Sequence, residues 1–448
     1  MRGLKSTIAL LIVLVGLGGY AYYVASKAED SSSSSQDRLF PKLSSDDIEE
    51  LTVKNDAGEV TTLRKQDGKW MMTAPVQTRG SDMDASGIAN ALAGLDITRV
   101  VDEKPSDVKD YGLDTPSVEV AFKSGAGKPS GKLLIGNKTA TGGSLYARKD
   151  GETRVVLIGE YNSSTFNKST FDLRDKAILT FDRSKVSGLD VAMDTGGFEL
   201  EKKDTQWSMV KPIAARADAS AADGLVVAVE SLQMRSVVGP SATAEELKRY
   251  GLDKPSASVN LHLGNDRVSV LVGGPAGEDT VYAKVADRPD IYTIQKAAAD
   301  DLRKGADDYR RKDLFDMRAY TANRLELTKD GKTFVFEKEK GKDENSAGTW
   351  KRVSPSAAEP DKDKFQAFVA ALADIRAISY ADAKAKTGLD APVLTVAVKF
   401  DEGKQDDRVQ FGKSGSDAFA KRPDDPGVAK IDPTKLDDAL KSIDEFTK

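Results

Sequence analysis

The chain has 448 residues, 39% of them hydrophobic and 31% charged, and its 66 basic and 71 acidic side chains leave a net charge of −5. That length suggests about three domains, and the interspersed charge, with no long Lys/Arg run, argues against a nucleic-acid partner. The absence of cysteine excludes thiol catalysis, disulfides and thiolate metal centres, and the single histidine, His262, leaves the usual general base and metal ligand almost missing.

Arg2 and Lys5 precede an uncharged apolar run over residues 8–25. About eighteen residues is close to the minimum that spans a bilayer as a helix. Tyr20, Tyr22 and Tyr23 lie at its far end, and Glu29 and Asp30 follow. Positive charge before the run orients the N-terminus inward and the bulk outward. Residues 1–28 are therefore expected to be a cytoplasmic N-terminus and transmembrane anchor. The alternative is a cleaved signal peptide, with "VASKA" offering small residues to a peptidase. Residues 29–44, with Ser31–Ser35, read as a flexible linker.

Beyond the linker, one pattern recurs three times. Each tryptophan sits five residues before a proline: Trp70 and Pro75, Trp207 and Pro212, Trp350 and Pro355. The tryptophans are 137 and 143 residues apart. "YGLDTP", "YGLDKP" and "TGLDAP" follow, with Gly112, Gly251 and Gly388 placed 42, 44 and 38 residues after their tryptophans. Then come Gly136, Gly273 and Gly412 at strand ends, and "YARK", "YAKV" and "FAKR". Four landmarks in one order, three times, mark an internal repeat.

Within each repeat the same elements are expected. "EVTTLRKQDGKWMMT" reads as a hairpin turning at Asp67-Gly68, and "FELEKKDTQWSMV" as one turning near Asp204. A helix follows, with apolar stripes Ile88/Leu92/Leu95, Leu225/Val229/Leu232 and Phe365/Val369/Leu372 and candidate caps Asp84, Asp218 and Asp361. After each GLD-x-P the period changes to two, as in "SVEVAFK", "SASVNLHLG" and "VLTVAVKF". A second helix is expected to close the first two repeats, running into 173–181 and 309–317, and "PTKLDDALKSIDEF" to close the third. The fold class is α+β: an N-terminal transmembrane helix followed by three similar repeat domains, each an antiparallel sheet with helices on one face. The expected boundaries are 45–183, 184–317 and 318–448.

The repeated residues have architectural readings. Each tryptophan suits a core anchor better than a ligand-stacking platform, and each proline should stop its strand and give an extended exit toward the helix. Gly112, Gly251 and Gly388 can take positive φ. Asp114, Asp253 and Asp390 suit turn bonds to backbone N–H groups. Pro116, Pro255 and Pro392 launch the next strand. One carboxylate per repeat does not make the converging pair that glycosidase chemistry needs. His262 should face solvent from its strand. "DLRDK" and "DYRRKDLFD" carry Arg and Asp at spacings that suit intrahelical ion pairs, with partner docking as the other reading. Asp361 and Asp363 lack the rest of a calcium loop, and "GGPAG" lacks the Lys-Ser/Thr of a phosphate loop. No catalytic, cofactor or metal residue is expected.

The anchor, the W-x4-P repeats, "YGLD-x-P", the strand-ending "IG" and "LRDK" together resemble the bacterial domain-of-unknown-function family numbered 4340, over nearly all of the chain after residue 45. The third repeat departs most, with Thr387 in place of Tyr and no LRDK element. The resemblance implies an envelope protein with an N-terminal membrane helix, encoded beside exporter-type ABC transporters or gliding-type auxiliary components. It implies no catalytic residues. The expectation is a non-enzymatic inner-membrane protein, single-pass with its bulk in the periplasm, serving as an accessory or scaffold to an ABC-type permease or auxiliary component. The alternative is an extracytoplasmic glycan- or lipid-binding module.

Overall fold

A computed structural model describes residues 38–239, 243–339, 348–381 and 384–447. The chain divides into two compact units, one ending at Lys176 and the other beginning at Ala177. The first unit is built on a nine-stranded sheet. Its strands are β1 (Ile48–Lys54), β2 (Val60–Gln66), β3 (Lys69–Ala74), β4 (Thr78–Arg79), β5 (Arg99–Asp102), β6 (Val118–Ser124), β7 (Gly131–Lys138), β8 (Ser144–Lys149) and β9 (Val155–Gly159). Their order across the sheet is β4-β3-β2-β1-β6-β7-β8-β9-β5.

The second unit holds two more sheets. One comprises β10 (Gly188–Met193), β11 (Gly196–Lys203), β12 (Gln206–Lys211), β13 (Ala215–Arg216), β14 (Met234–Gly239), β15 (Ala257–Leu263), β16 (Asp266–Pro275), β17 (Thr280–Val285) and β18 (Ile291–Gln295). Its order, β13-β12-β11-β10-β15-β16-β17-β18-β14, is that of the first sheet strand for strand. The other comprises β19 (Ala322–Lys329), β20 (Lys332–Glu339), β21 (Thr349–Ser354), β22 (Ala377–Tyr380), β23 (Leu394–Phe400), β24 (Gln405–Ser414), β25 (Asp417–Lys421) and β26 (Ala429–Ile431). It runs β21-β20-β19-β23-β24-β25-β26-β22, the same order with the short outer strand reduced to a bridge between Arg352 and Ala358. Every pairing in β1–β9 is antiparallel, as in the other two sheets.

The local chemistry explains this repetition. Asp67 and Gly68 both have positive φ, 49° and 78°, which is the mirror-image turn whose twist matches a two-residue hairpin. Asp204, at φ 55°, turns the β11–β12 hairpin. Val118, Val120 and Phe122 alternate into the core, as do Leu394, Val396 and Val398. The stripe residues of the helices Asp82–Ala93, Ala219–Glu230 and Lys362–Ala373 are buried in all three repeats. In the first unit they share one core with Leu51, Leu63, Trp70 and Val120. Asp218 and Asp361 cap their helices, but the first cap is Ser81, which accepts from Asp84 N–H. Asp84 sits three residues inside, and the two side chains bond at 2.7 Å.

The closing helices of the first two repeats are shorter than expected. They span Asn162–Phe166 in one, and Lys296–Asp301 and Ala306–Tyr309 in the other, so the first ends before 173–181 and the second enters 309–317 by Tyr309 alone. Apart from Tyr309, those stretches are neither helix nor regular strand, because isolated backbone bridges at Arg174, Ala177, Arg310 and Asp313 claim them. Leu173 O accepts from Ser81 N–H at 2.8 Å, and Asp175 N–H donates to Arg79 O at 2.9 Å. Tyr309, Asp218, Arg311 and Arg216 repeat the arrangement at 2.8 and 2.9 Å. The third repeat closes on the expected helix, Pro433–Phe446, capped by Asp432. The expected membrane segment, residues 8–25, lies outside the described residues; among these, no helix is long and apolar enough to cross a membrane.

Each repeat also begins with a lead-in that the landmarks do not mark. Arg38, Ala177 and Asp313 form isolated bridges to Asp96, Gln233 and Arg376, just past the end of each stripe helix. The next two residues, Leu39-Phe40, Ile178-Leu179 and Leu314-Phe315, are buried.

Candidate functional site

The three tryptophans occupy one structural position. Trp70, Trp207 and Trp350 are 2%, 5% and 3% exposed. Each stands opposite a lysine on the neighbouring strand: Lys65, Lys202 and Lys338. The ammonium groups of Lys65 and Lys202 lie 5.6 and 5.2 Å from the indole centroids, within cation–π range. Trp70 Nε1–H donates to Ser86 Oγ at 3.3 Å and Trp207 Nε1–H to Asp223 Oδ1 at 2.8 Å, tying the strand to the stripe helix. Trp350 packs on Phe365 of its own helix, 5.4 Å between centroids. The peptide bonds before Pro75, Pro212 and Pro355 are cis. The prolines end their strands, but the exit is not extended. The chain doubles back, so that Met72 faces Thr78, Met209 faces Ala215 and Arg352 faces Ala358.

The GLD-x-P turn and the strand-end glycine form a single contact. Gly112, Gly251 and Gly388 have φ of 67°, 67° and 68°, the left-handed region that favours glycine. A Cβ on Gly136, Gly273 or Gly412 would overlap the carbonyl oxygen of Tyr111, Tyr250 or Thr387, the residue just before each turn glycine. The Tyr111 ring packs tilted against Tyr146 at 4.9 Å and Tyr250 against Tyr282 at 4.3 Å, which joins the "YGLD" landmark to "YARK" and "YAKV". Gly136→Ala is therefore expected to lower stability by about 1–3 kcal/mol, because backbone rather than a flexible side chain must move. Gly87, on a helix with open space around its Cβ position, is the matched control. Gly87→Ala should stabilise by about 0.5–1 kcal/mol, and denaturant midpoints of the two variants check both signs. Pro116, Pro255 and Pro392 are half-buried at the start of the following strand. The carboxylates do not cap the turn as expected: Asp114, Asp253 and Asp390 are exposed, and Asp114 accepts only from its neighbour Thr115 Oγ1, at 3.4 Å.

The densest polar cluster lies in the second unit, along residues 309–317 and the strands of the third sheet. Arg422 donates to Asp407 at 2.7 Å, to Asp424 at 2.8 Å and to Leu314 O at 2.8 Å. Asp407, with 1% of its side chain exposed, also accepts from the N–H groups of Asp316 and Met317 at 2.6 and 3.2 Å. Asp316 is held by Arg311 at 2.6 Å and Arg216 at 2.9 Å, and Asp313 by Arg376 at 2.7 Å. Arg310, 4% exposed, pairs with Asp425 at 3.0 Å and lies over the Tyr380 ring. Local pairs persist, Arg310 with Asp307 at 4.0 Å and Arg311 with Asp313 at 3.6 Å, but they are not intrahelical, and Arg216–Asp316 and Arg310–Asp425 tie the second sheet and the segment bridged to it to the third repeat. "DLRDK" is likewise not helical: Asp175 pairs with Arg79 at 3.4 Å.

The electrostatics follow from this packing. Burial, with the neighbouring Arg422, lowers the Arg216 guanidinium from its ordinary value against the pull of Asp316. Burial also disfavours charge on Arg422, but bonds to Asp424 and attraction to Asp407 outweigh it and raise the group above its ordinary value. Tyr309 and Tyr380 are each pushed up to about 12 by burial. Grooves of about 510 and 530 Å³ flank the cluster and share Arg311, Asp313, Asp316 and Arg376. A general base must be free to take a proton. These carboxylates are engaged by guanidinium and backbone donors, and through Arg216 and Arg310 the cluster ties the second sheet and the segment bridged to it to the third repeat.

The remaining candidates resolve individually. His262 lies on the face away from the core, but it is half-buried and paired rather than solvent-facing: its Nε2 is 2.9 Å from Asp190 Oδ1, while Asn260 donates to Asp190 Oδ2 at 2.6 Å. Asp361 caps a helix, and Asp363 is exposed in its first turn. Gly274 N–H donates to Tyr250 O at 2.8 Å, so "GGPAG" supports the turn beside it. Among the described residues no cluster of His, Asp or Glu has metal-ligating geometry.

The family described as "Domain of unknown function (DUF4340)" matches residues 70–243 and again 207–392. Both matches begin at a repeat tryptophan, and each runs past one sheet into the helix and strands of the next. A putative DNA polymerase III beta subunit from Eubacterium rectale ATCC 33656 aligns over 86% of this chain and 90% of its own, at 8% identity and a TM-score of 0.16, a value too small to describe a shared fold.

Proposed function

This chain belongs to the DUF4340 family, and on that premise we propose that it is a non-enzymatic, membrane-anchored extracytoplasmic protein, an accessory or scaffold of an ABC-type export or gliding-type envelope system. The observation that carries this reading is the character of what is repeated. The residues common to the three sheets are core anchors, left-handed turn glycines and glycines in contact with a carbonyl, all of which build a unit for use in series. The apolar run over residues 8–25, preceded by Arg2 and Lys5, supports an anchor with the repeats outside.

The test is fractionation and topology on the full chain. The protein should sediment with membranes after a carbonate wash. Protease added to spheroplasts should trim everything beyond Ser31–Ser35 and leave a short protected stub. Co-purification from detergent should recover a membrane permease or an auxiliary envelope component. Repeats protected from protease, or a chain released by carbonate, overturn the reading.

A further inference from the structure

The outer edge of the third sheet differs from its two counterparts in one respect. In the first sheet a returning segment adds to that edge: Arg174 bridges Gly80, with Ser81 N–H donating to Leu173 O at 2.8 Å and Asp175 N–H donating to Arg79 O at 2.9 Å. In the second, Arg310 bridges Ala217, with Asp218 N–H donating to Tyr309 O at 2.8 Å and Arg311 N–H donating to Arg216 O at 2.9 Å. The bridging segment carries a buried apolar residue, Leu173 at the end of a turn or Tyr309 at the end of a helix, followed by arginine at the bridge. The corresponding positions in the third repeat are Glu359, Pro360 and Asp361, the last being the helix cap as Ser81 and Asp218 are in the others. No described segment pairs there. Exposure follows occupancy: Gly80 and Ala217 are buried beneath the added segment, whereas Pro360 is half-buried and Glu359 and Asp361 are exposed.

We infer that this edge takes an extended segment of a partner polypeptide by strand addition. Pairing in the first two sheets uses the carbonyl before the bridging residue and the N–H after it. Pro360, in the bridging position, removes neither, so the third edge keeps the acceptor of Glu359 and the donor of Asp361. A cavity of about 230 Å³ lies against these residues, walled on its far side by Glu445 and Phe446. Phe446 O is held by Arg352 Nη1 at 3.1 Å. The cavity lining carries Glu359, Asp361 and Glu445 against Arg352 and Lys364. Arg352 is engaged by the carbonyls of Ser356 and Phe446, and the excess of carboxylates suits a segment in which arginine follows the apolar residue. An unpaired edge of this kind is a ready template for another chain. The inference does not depend on where the protein resides in the cell.

The probe is a labelled synthetic peptide copying residues 168–176, the segment whose bridge at Arg174 fills the first edge. Because the chain has no cysteine, Glu359→Cys in the full-length protein supplies a unique thiol. In the register of the first sheet the residue at position 175 faces position 79, so a peptide with Asp175→Cys should face the new thiol. With each peptide cysteine carried as its mixed disulfide with thionitrobenzoate, attack by the protein thiolate should form the protein–peptide disulfide and release thionitrobenzoate at least about tenfold faster from this peptide than from one with Thr170→Cys, by effective concentration. The unsubstituted peptide should bind the unsubstituted protein saturably. Proline at peptide position 175, which removes the N–H directed at Glu359 O, should weaken binding about tenfold. Binding that does not saturate, equal crosslinking from both cysteine positions, or no effect of the proline overturns the inference.

Discussion

Arg422→Ala is expected to destabilise the second unit by about 3–5 kcal/mol, the scale for removing one partner of a buried ion pair. The substitution leaves Asp407, 1% exposed at its side chain, with two backbone donors and no counter-charge. It also removes the donor to Leu314 O in the lead-in of the third repeat. The paired variant, Arg422→Met with Asp407→Asn, should recover much of the loss, because the uncompensated charge is then gone. Denaturant unfolding of the full chain, followed on the transition of the second unit, measures both. A single-variant loss under about 0.5 kcal/mol, or additive effects of Arg422→Met and Asp407→Asn, would mean that this pair does not hold the lead-in of the third repeat to its sheet.

The repeat was readable because its landmarks are backbone devices. A left-handed glycine, a glycine in contact with a carbonyl and a tryptophan in a small core each tolerate little variation, so they recur at nearly constant spacing. The polar cluster was not readable, because its partners are remote: Arg216 and Asp316 are 100 residues apart, and Arg422 and Asp316 106. Position 422 itself carries no signal. Its counterparts in "YARK" and "YAKV" are Lys149, which pairs locally with Glu152, and Val285, which is buried. Only the third repeat places an arginine there, against the lead-in segment.

The misread segments share a physical cause. "DLRDK" and "DYRRKDLFD" offer opposite charges at helical spacing, but exposed ion pairs contribute about 1 kcal/mol or less and do not decide a backbone conformation. Two backbone bonds to the sheet edge, with Leu173 or Tyr309 driven into a core, outweigh them. The lead-ins failed to register because a single bridge followed by two buried residues has neither helical nor strand period. The choice between Ser81 and Asp84 as cap is ambiguous in sequence because both are capping types and bond to each other.

Trp70→Ala is expected to cost about 3–5 kcal/mol in the first unit, the scale for removing a large buried aromatic. Replacement by phenylalanine separates packing from hydrogen bonding, and the three tryptophans make a graded series. Trp207 donates to the carboxylate of Asp223 at 2.8 Å, Trp70 to the hydroxyl of Ser86 at 3.3 Å, and Trp350 Nε1–H, although buried, has no partner among the described residues. A bond to a charged group contributes about 1.5–3 kcal/mol, a neutral one about 0.5–1.5, and a buried unsatisfied donor costs about 1–3. Trp207→Phe should therefore be the most damaging of the three. It also leaves Asp223, whose carboxyl is held below its ordinary value by its bonds to Trp207 and Lys202 against the opposing effect of burial, with one partner fewer. Trp70→Phe should be intermediate. Trp350→Phe should be close to neutral, because the lost area is offset by removal of an unpaired donor. Hydrogen exchange at amides of each stripe helix reads the three effects separately in the intact chain. Equal costs across the series would mean that the indole N–H groups contribute nothing and that ring burial alone holds each helix to its hairpin.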